Sequence, residues 1–247
     1  MKLLFSSDLH GLEPGYRDFA SGLKEGGFDV GVLAGDLMTY PSEAAVESAA
    51  AEIRQSDASG SVPEGEAARR AVQLALERME SSLKGILRGS GKPVVFVMGN
   101  DDGILGDGRA WKSEGQIVDI HFRRARYGRY RLVGYHYTTP FVGGTFERTE
   151  EDQEQDFARL ERLVDDRTVL VTHGPPRGIL DTAGDGEHVG SMALRRLVER
   201  ARPRMHLFGH IHRTFGIDGA RVNGSYPSSR KFIGVDVDRG VAWILPE

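Results

Sequence analysis

Cysteine is absent from this chain. That excludes disulfides, thiol nucleophiles and thiolate metal sites, and it leaves the redox compartment unspecified. Also missing is any apolar run near the roughly 18 residues that a membrane-spanning helix needs. No charge of one sign dominates: 32 Lys and Arg stand against 36 Asp and Glu, a formal net charge of −4. Both signs are interspersed, so neither binding to a nucleic-acid duplex nor an acidic interaction tail is expected. There is no internal repeat and no linker that divides the 247 residues. The expected organisation is therefore one domain over 1–247, long enough for a sizeable core. The opening residues already read as core strand, which leaves no room for a signal peptide. A cytoplasmic protein without membrane association is expected.

What is present starts at the second residue. Lys2 to Gly11 is an apolar run, Leu3-Leu4-Phe5, followed by two serines, Asp8, His10 and a closing glycine. The pattern predicts a buried strand that stops at a tight turn. Tyr16, Phe19, Ala20 and Leu23 then recur at helical spacing behind Pro14, and Gly26-Gly27 ends that helix. Asp29 to Asp36 is a second apolar strand, running into Gly35-Asp36.

Residues 41–90 read as a helical insertion packed on the sheet. Val46, Ala49, Ala50 and Ile53 make one stripe, and Val72, Leu76, Met79, Leu83 and Ile86 a longer one. A breaker-rich loop from Asp57 to Glu66 separates them. Lys92 to Gly99 is a third strand, emptying into Asn100, Asp101 and Asp102. Residues 117–137 alternate as a hairpin about Tyr127-Gly128-Arg129. Its arginines, at 123, 124, 126, 129 and 131, read as a solvated face. A helix over 149–165 turns Phe157, Leu160 and Leu163 or Val164 inward. Thr168 to Gly174 is a fourth strand, ending on His173. The loop from Pro175 to Gly190 is long enough to expect a functional role. A helix at 191–201 precedes a fifth strand that spills His210 and His212. His206, inside that strand, reads as structural. His121 and His136 have no evident partner in sequence. Short strands with Gly-rich turns fill 213–245.

Five apolar strands thus end in Asp8/His10, Asp36, Asn100, His173 and His210/His212. In open α/β sheets, ligand sites lie outside the carboxyl ends of the strands. The seven residues are expected on one edge. They offer nitrogen and oxygen but no sulfur, which suits Mn, Fe, Zn, Co or Ni rather than Ca. Seven ligands are too many for one such ion and fit two that share a carboxylate. Two ions about 3.5–4 Å apart clamp an in-line phosphoryl displacement and acidify a bound water.

The ordered set D-L-H, G-D, G-N-D, T-H-G and G-H-I-H resembles the calcineurin-like metallophosphoesterases over most of the chain. The resemblance implies an α/β fold of the α+β type, with two packed mixed β-sheets flanked by helices. It implies that Asp8, His10 and His212 hold one metal, and Asn100, His173 and His210 the other. It implies further that Asp36 would bridge them and that a hydroxide between the ions would attack phosphorus. Mn is the favoured metal. Many members carry histidine after the asparagine of the third block, whereas this chain has Asp101. An ionised carboxylate donates no proton unless its pKa is raised, and it repels an anionic phosphate. Asp101 is therefore a shifted general acid, a residue acting through its neighbours, or a sign that the leaving group needs little help.

Thr172 to Asp181 and Gly186 to Ser191 are similar to the branch that includes metallophosphodiesterases acting on cyclic nucleotides. That implies a small or nucleotide-like phosphodiester substrate. A phosphomonoesterase, protein phosphatases included, and a non-catalytic scaffold like the retromer subunit of this fold are the alternatives. The expected catalytic residues are Asn100, Asp101 and His173. Arg177 and Arg213 are expected on phosphate oxygens, with His188 closing over the site. Asn223, in V-N-G-S, stands where relatives carry an N-P-G-S turn and is expected to support the site. Oligomeric state and the natural substrate have no code in the sequence.

Overall fold

The computed structural model describes residues 1–56, 63–103 and 111–246. In chain order its strands are β1 Lys2–Ser6, β2 Val30–Ala34, β3 Val94–Val97, β4 Ile117–Asp119, β5 Arg124–Tyr127, β6 Tyr130–Tyr135, β7 Thr168–Thr172, β8 Met205–Phe208, β9 Gly216–Asp218, β10 Arg221–Asn223, β11 Ile233–Asp236 and β12 Val241–Ile244. The helices are α1 Glu13–Glu25, α2 Glu43–Ser56, α3 Glu64–Arg88, α4 Glu150–Leu160, α5 Met192–Ala201 and α6 Tyr226–Ser229. The strands make two mixed six-stranded sheets, ordered β12-β11-β1-β2-β3-β4 and β5-β6-β7-β8-β10-β9.

Alternation along the strands explains the layering. Side chains of a strand point to opposite faces in turn. Leu3 and Phe5 of β1, Val30 and Val32 of β2, and Val95 and Val97 of β3 face inward. There they meet Leu132, Val169, Val171, Leu207 and Val222 of the second sheet. Leu4, Leu33, Val94 and Phe96 point the other way, against Tyr16, Phe19 and Leu23 of α1 and Leu83 and Leu87 of α3. The second sheet is covered in the same fashion, with Val133, Tyr135 and Leu170 beneath Phe157 and Leu160 of α4 and Leu194, Leu197 and Val198 of α5. Strands apolar on both faces are what a sheet buried on both sides requires. Each fully buried Leu, Val or Phe contributes roughly 1.5–3 kcal/mol.

The helical pair at 41–90 is present: Val46, Ala49, Ala50 and Ile53 pack as one stripe, and Leu83 with Leu76, Met79 and Ile86 packs on the outer core of the first sheet. Ala71 and Ala75 of α3 meet Ala49 of α2, a close approach that small side chains permit. Leu83 and Leu87 reach the sheet, and Val72 is only half-buried. Part of the breaker loop, 57–62, lies outside the described residues, and α3 already begins at Glu64. The hairpin is shorter than the alternation predicts. β5 and β6 pair about Gly128-Arg129, while β4 runs parallel to β3 in the other sheet. Alternation alone does not say which sheet a strand joins. The arginines of that stretch hold carbonyls and carboxylates: Arg124 bonds the carbonyls of Arg162 and Leu163, Arg129 pairs with Asp238 and Arg131 with Asp165. The short helix α6 inside the expected all-strand tail went unpredicted, since four residues carry no helical periodicity. No helix among the described residues is long and apolar enough to cross a membrane.

Candidate metal centre

Both sheets point the carboxyl ends of their parallel strands at one rim. From the first sheet come Asp8 and His10 beyond β1, Asp36 beyond β2 and Asn100 beyond β3. From the second come His173 beyond β7, and His210 and His212 beyond β8. The sequence places all seven on one edge; the structure divides them between two facing sheets.

Backbone hydrogen bonds carry the ladders past the strand ends. Asp8 N bonds the Gly35 carbonyl at 2.9 Å, and His10 N bonds the Asp36 carbonyl at 2.8 Å. Gly209 N bonds the His173 carbonyl at 2.9 Å. The chain between β10 and α6 forms the seam between the sheets. Gly224 N bonds the Phe208 carbonyl, Ser7 N bonds the Gly224 carbonyl, and Tyr226 N bonds the Ser7 carbonyl. Asn223 sits at that seam. Its Nδ2 bonds the Ile211 carbonyl at 3.0 Å and its Oδ1 accepts from Ser225 N at 3.0 Å, the supporting position expected of it.

The backbone is strained where it presents the site. Asp8, His10, Asp36 and His210 have φ of 59°, 44°, 48° and 69°. These are four of the eight non-glycine residues with positive φ among the described residues. Such conformations cost about 1–3 kcal/mol each and persist only where the surroundings enforce them. The glycines of the motifs answer a different need. A Cβ on Gly99 would collide with the Asp36 carboxylate and the His173 ring, and one on Gly209 with Ser7 and Asp8.

The polar atoms converge with too few protons. His173 Nδ1 lies 2.8 Å from the Ala34 carbonyl, so in the neutral ring that nitrogen carries the hydrogen and Nε2 is the lone pair. Nε2 faces Asn100 Oδ1 at 3.1 Å and Asp36 Oδ2 at 3.3 Å, both acceptors. Asn100 is oriented by its Nδ2, which donates to Asp101 Oδ1 at 2.8 Å. On the other side, His10 Nε2 and His212 Nε2 face each other at 3.4 Å, and Asp8 Oδ1 lies 3.3 Å from His212 Nε2. His10 Nδ1 points to Asp101 Oδ2 at 3.4 Å. Asp8, His10 and His212 form one group of mutually close donor atoms, and Asp36, His173 and His210 another; Asp36 also joins His10 and Asp101.

The electrostatics carry the same message. Burial pushes the Asp8 and Asp36 carboxyls up, but the neighbouring histidines hold both below the usual range. Burial favours a neutral His173, yet the Asp36 carboxylate beside it, with Asp8, lifts it to about 10. His210 is pushed down to about 4 by burial and by His173. Buried carboxylates, imidazole lone pairs and an amide oxygen around one point suit divalent transition ions.

Other expected residues lie apart from this group. Arg177 Nη1 donates to the His188 carbonyl at 2.6 Å, and His188 Nδ1 meets the buried Asp181 at 2.6 Å. Arg213 lies beside Gly184. Among the described residues, none of Arg177, His188 and Arg213 is hydrogen-bonded or ion-paired to the seven. His206 is structural as expected: it is buried, with Nε2 2.9 Å from Thr172 Oγ1.

Two residues were assigned no role from the sequence. Ser225 Oγ donates to Asp8 Oδ2 at 2.8 Å. Asp102 is buried and accepts from Met38 N and Gly99 N, each at 2.8 Å, tying the Asp36 turn to the Asn100 turn. Burial and the Asp36 charge raise the Asp102 carboxyl to about 7. The doubled aspartate after Asn100 was its only visible signal.

A family model described as calcineurin-like phosphoesterase matches residues 1–214, and the chain belongs to that family. Human metallophosphoesterase domain-containing protein 1 is 45% identical over 51 residues, 20% of this chain and 16% of that one. The chain spans about a quarter or less of the length of the curated relatives it matches. Among solved structures, TT1561 of Thermus thermophilus superposes with a TM-score of 0.60 at 16% identity, covering 98% of this chain and 97% of that one. A dimetal phosphatase from Danio rerio does so with a TM-score of 0.53 at 10% identity, covering 95% and 91%. At these identities the solved structures speak for the fold.

Proposed function

We propose that this chain is a metal-dependent phosphodiesterase acting on a small or nucleotide-like phosphodiester. One domain over 1–247 carries the activity, with α2 and α3 as an insertion between β2 and β3. Asp8, His10 and His212 hold one divalent ion, Asn100, His173 and His210 hold a second, and Asp36 serves both; Mn is the favoured metal. When bound, the ions polarise the phosphoryl group and make a bound water acidic enough to serve as nucleophile. The observation that carries this reading is the convergence of His173 Nε2, Asn100 Oδ1 and Asp36 Oδ2, which share no hydrogen when the ring is neutral.

The side chains have separable tasks. Asp8 and Asp36 supply buried negative charge at fixed positions. The Ala34 carbonyl fixes the tautomer of His173, as partners of ligating histidines commonly do. Asp101, its side chain 42% exposed, reaches one member of each half: Asn100 through Oδ1 and His10 through Oδ2. It orients both. Burial and the Asp36 charge also raise its carboxyl above the usual range, the direction a proton donor to the leaving oxygen requires. In its ionised form it favours a monoanionic diester over a dianionic monoester. Arg177, Arg213 and His188 are assigned to the substrate side, where the His188–Asp181 contact holds the loop in shape.

The test is a metal-stripped protein reconstituted with Mn. Two equivalents of Mn per chain are expected, with Mn-dependent release of p-nitrophenol from bis-p-nitrophenyl phosphate faster than from p-nitrophenyl phosphate. A reversed ratio makes the protein a monoesterase. Stoichiometric metal without turnover makes it a scaffold.

A further inference from the structure

A cleft of about 450 Å³ opens directly beside Asn100 and Asp101. One wall is Thr39 and Tyr40, on the chain leaving Asp36; the other is the segment from Val142 to Thr145. Phe141, Val142 and Tyr40 are the most exposed large apolar or aromatic side chains among the described residues, at 69%, 66% and 57%. Tyr40 and Val142 line these walls, and Phe141 precedes Val142 at the rim. The Phe141 ring meets the His210 ring edge-on at 5.2 Å, so the apolar rim touches the metal centre itself.

The rim is held in place. The Glu147 carboxylate accepts from the backbone nitrogens of Phe141, Val142 and Gly143 at 2.8, 2.9 and 2.9 Å. Gly144 packs against the Asn100 carbonyl, where a Cβ would come within 3.1 Å. Fixed apolar side chains facing solvent mark a surface meant to be covered. The volume lies in the range of small-molecule sites. Among the described lining residues the one charged side chain is Asp101, and no cation is present. A second anionic group would enter without a cationic partner among these residues.

We propose that this cleft holds the organic substituent of the phosphodiester and selects an uncharged aromatic group there. Tyr40 and Val142 are its specificity-determining residues. The proposal rests on the phosphodiesterase reading and adds the substituent class to it.

The test uses the Mn-loaded full chain and two substrates with one leaving group, p-nitrophenyl phenylphosphonate and p-nitrophenyl methylphosphonate. The phenyl compound is expected to have a kcat/KM about tenfold higher. Tyr40→Ala and Val142→Ser are expected to remove most of that advantage and leave the methyl compound within about twofold. Turnover of both compounds at equal rates, or equal losses on both, overturns the subsite and leaves the phosphodiesterase reading standing. Absence of Mn-dependent turnover of either overturns that reading instead. Calorimetric binding of phenylphosphonate and methylphosphonate to the same proteins then decides the cleft. A phenyl preference lost in the variants supports it; equal or absent binding overturns it.

Discussion

Histidine and aspartate gather twice in this molecule, at the rim of the two sheets and around β4 and β6, with opposite outcomes. At the rim, imidazole nitrogens, carboxylate oxygens and the Asn100 amide oxygen crowd one another across 3.1–3.4 Å, with more acceptors than neutral imidazoles have hydrogens. In the other cluster every contact is complementary. Asp119 Oδ1 meets His136 Nε2 at 2.9 Å and accepts from His121 N at 2.8 Å, and His121 Nδ1 accepts from His136 N at 3.1 Å. The two rings stack at 4.0 Å. Asp119, His121 and His136 lie outside the left-handed region that four of the seven rim residues occupy. Residue type therefore does not separate a site from a structural knot. Unspent lone pairs and enforced backbone strain do, because a satisfied cluster has nothing left to offer a ligand.

The sharpest way to break the comparison is Asp36→Ala. Bound Mn is expected to fall below two per chain and diester turnover to drop by about 10³-fold or more, by elemental analysis and p-nitrophenol release; the same pair of assays on His121→Gln should read as wild type. Gly99→Ala comes next. Its Cβ forces Asp36 and His173 apart, so Mn affinity falls and the protein loses about 1–3 kcal/mol of stability, measured by metal titration and urea unfolding. Asp101→Asn and Asp101→Ala separate the two tasks of that residue. Loss of orientation weakens Mn binding by about 10–100-fold in Ala and less in Asn. A role as proton donor instead lowers kcat in both, with Mn affinity kept in Asn.

The smallest effect concerns the satisfied cluster and pH. Burial, with the His136 charge, pushes His121 down to about 3 from 6.5. Its folded pKa lies below its unfolded value, so between those values the unfolded chain binds the extra proton and stability falls as pH drops. His121→Gln is expected to lose less stability than wild type between about pH 7 and pH 4.5, by urea unfolding. Equal losses would show that His121 takes up a proton in the folded state.

Much of this was legible from one chain of letters. The strands that carry Asp8, Asp36, Asn100, His173 and His210 were visible as apolar runs closing on glycine or a polar residue, because burial on both faces leaves a run with no polar interruption. The helix stripe of Tyr16, Phe19, Ala20 and Leu23 was visible for the same local reason. Asp102 and Ser225 were not, since their roles come from a Met38 amide 64 residues away and an Asp8 carboxylate 217 residues away. β4 reads as part of the hairpin because its alternation resembles that of β5 and β6. Its pairing with β3 depends on a neighbour its own residues do not name. His121 and His136 acquired a partner only once Asp119 was placed beside them.

By itself the sequence determined which residues end each strand and which atoms they bring: period, breakers and side-chain chemistry are properties of short segments. Only the tertiary structure decided that β1, β2 and β3 stand in one sheet and β7 and β8 in another, with the segment after β10 stitching the seam. It alone set the left-handed turns at Asp8, His10, Asp36 and His210. Whether lone pairs meet depends on where two rigid sheets dock, and that placement is settled by an inter-sheet core whose members are far apart along the chain.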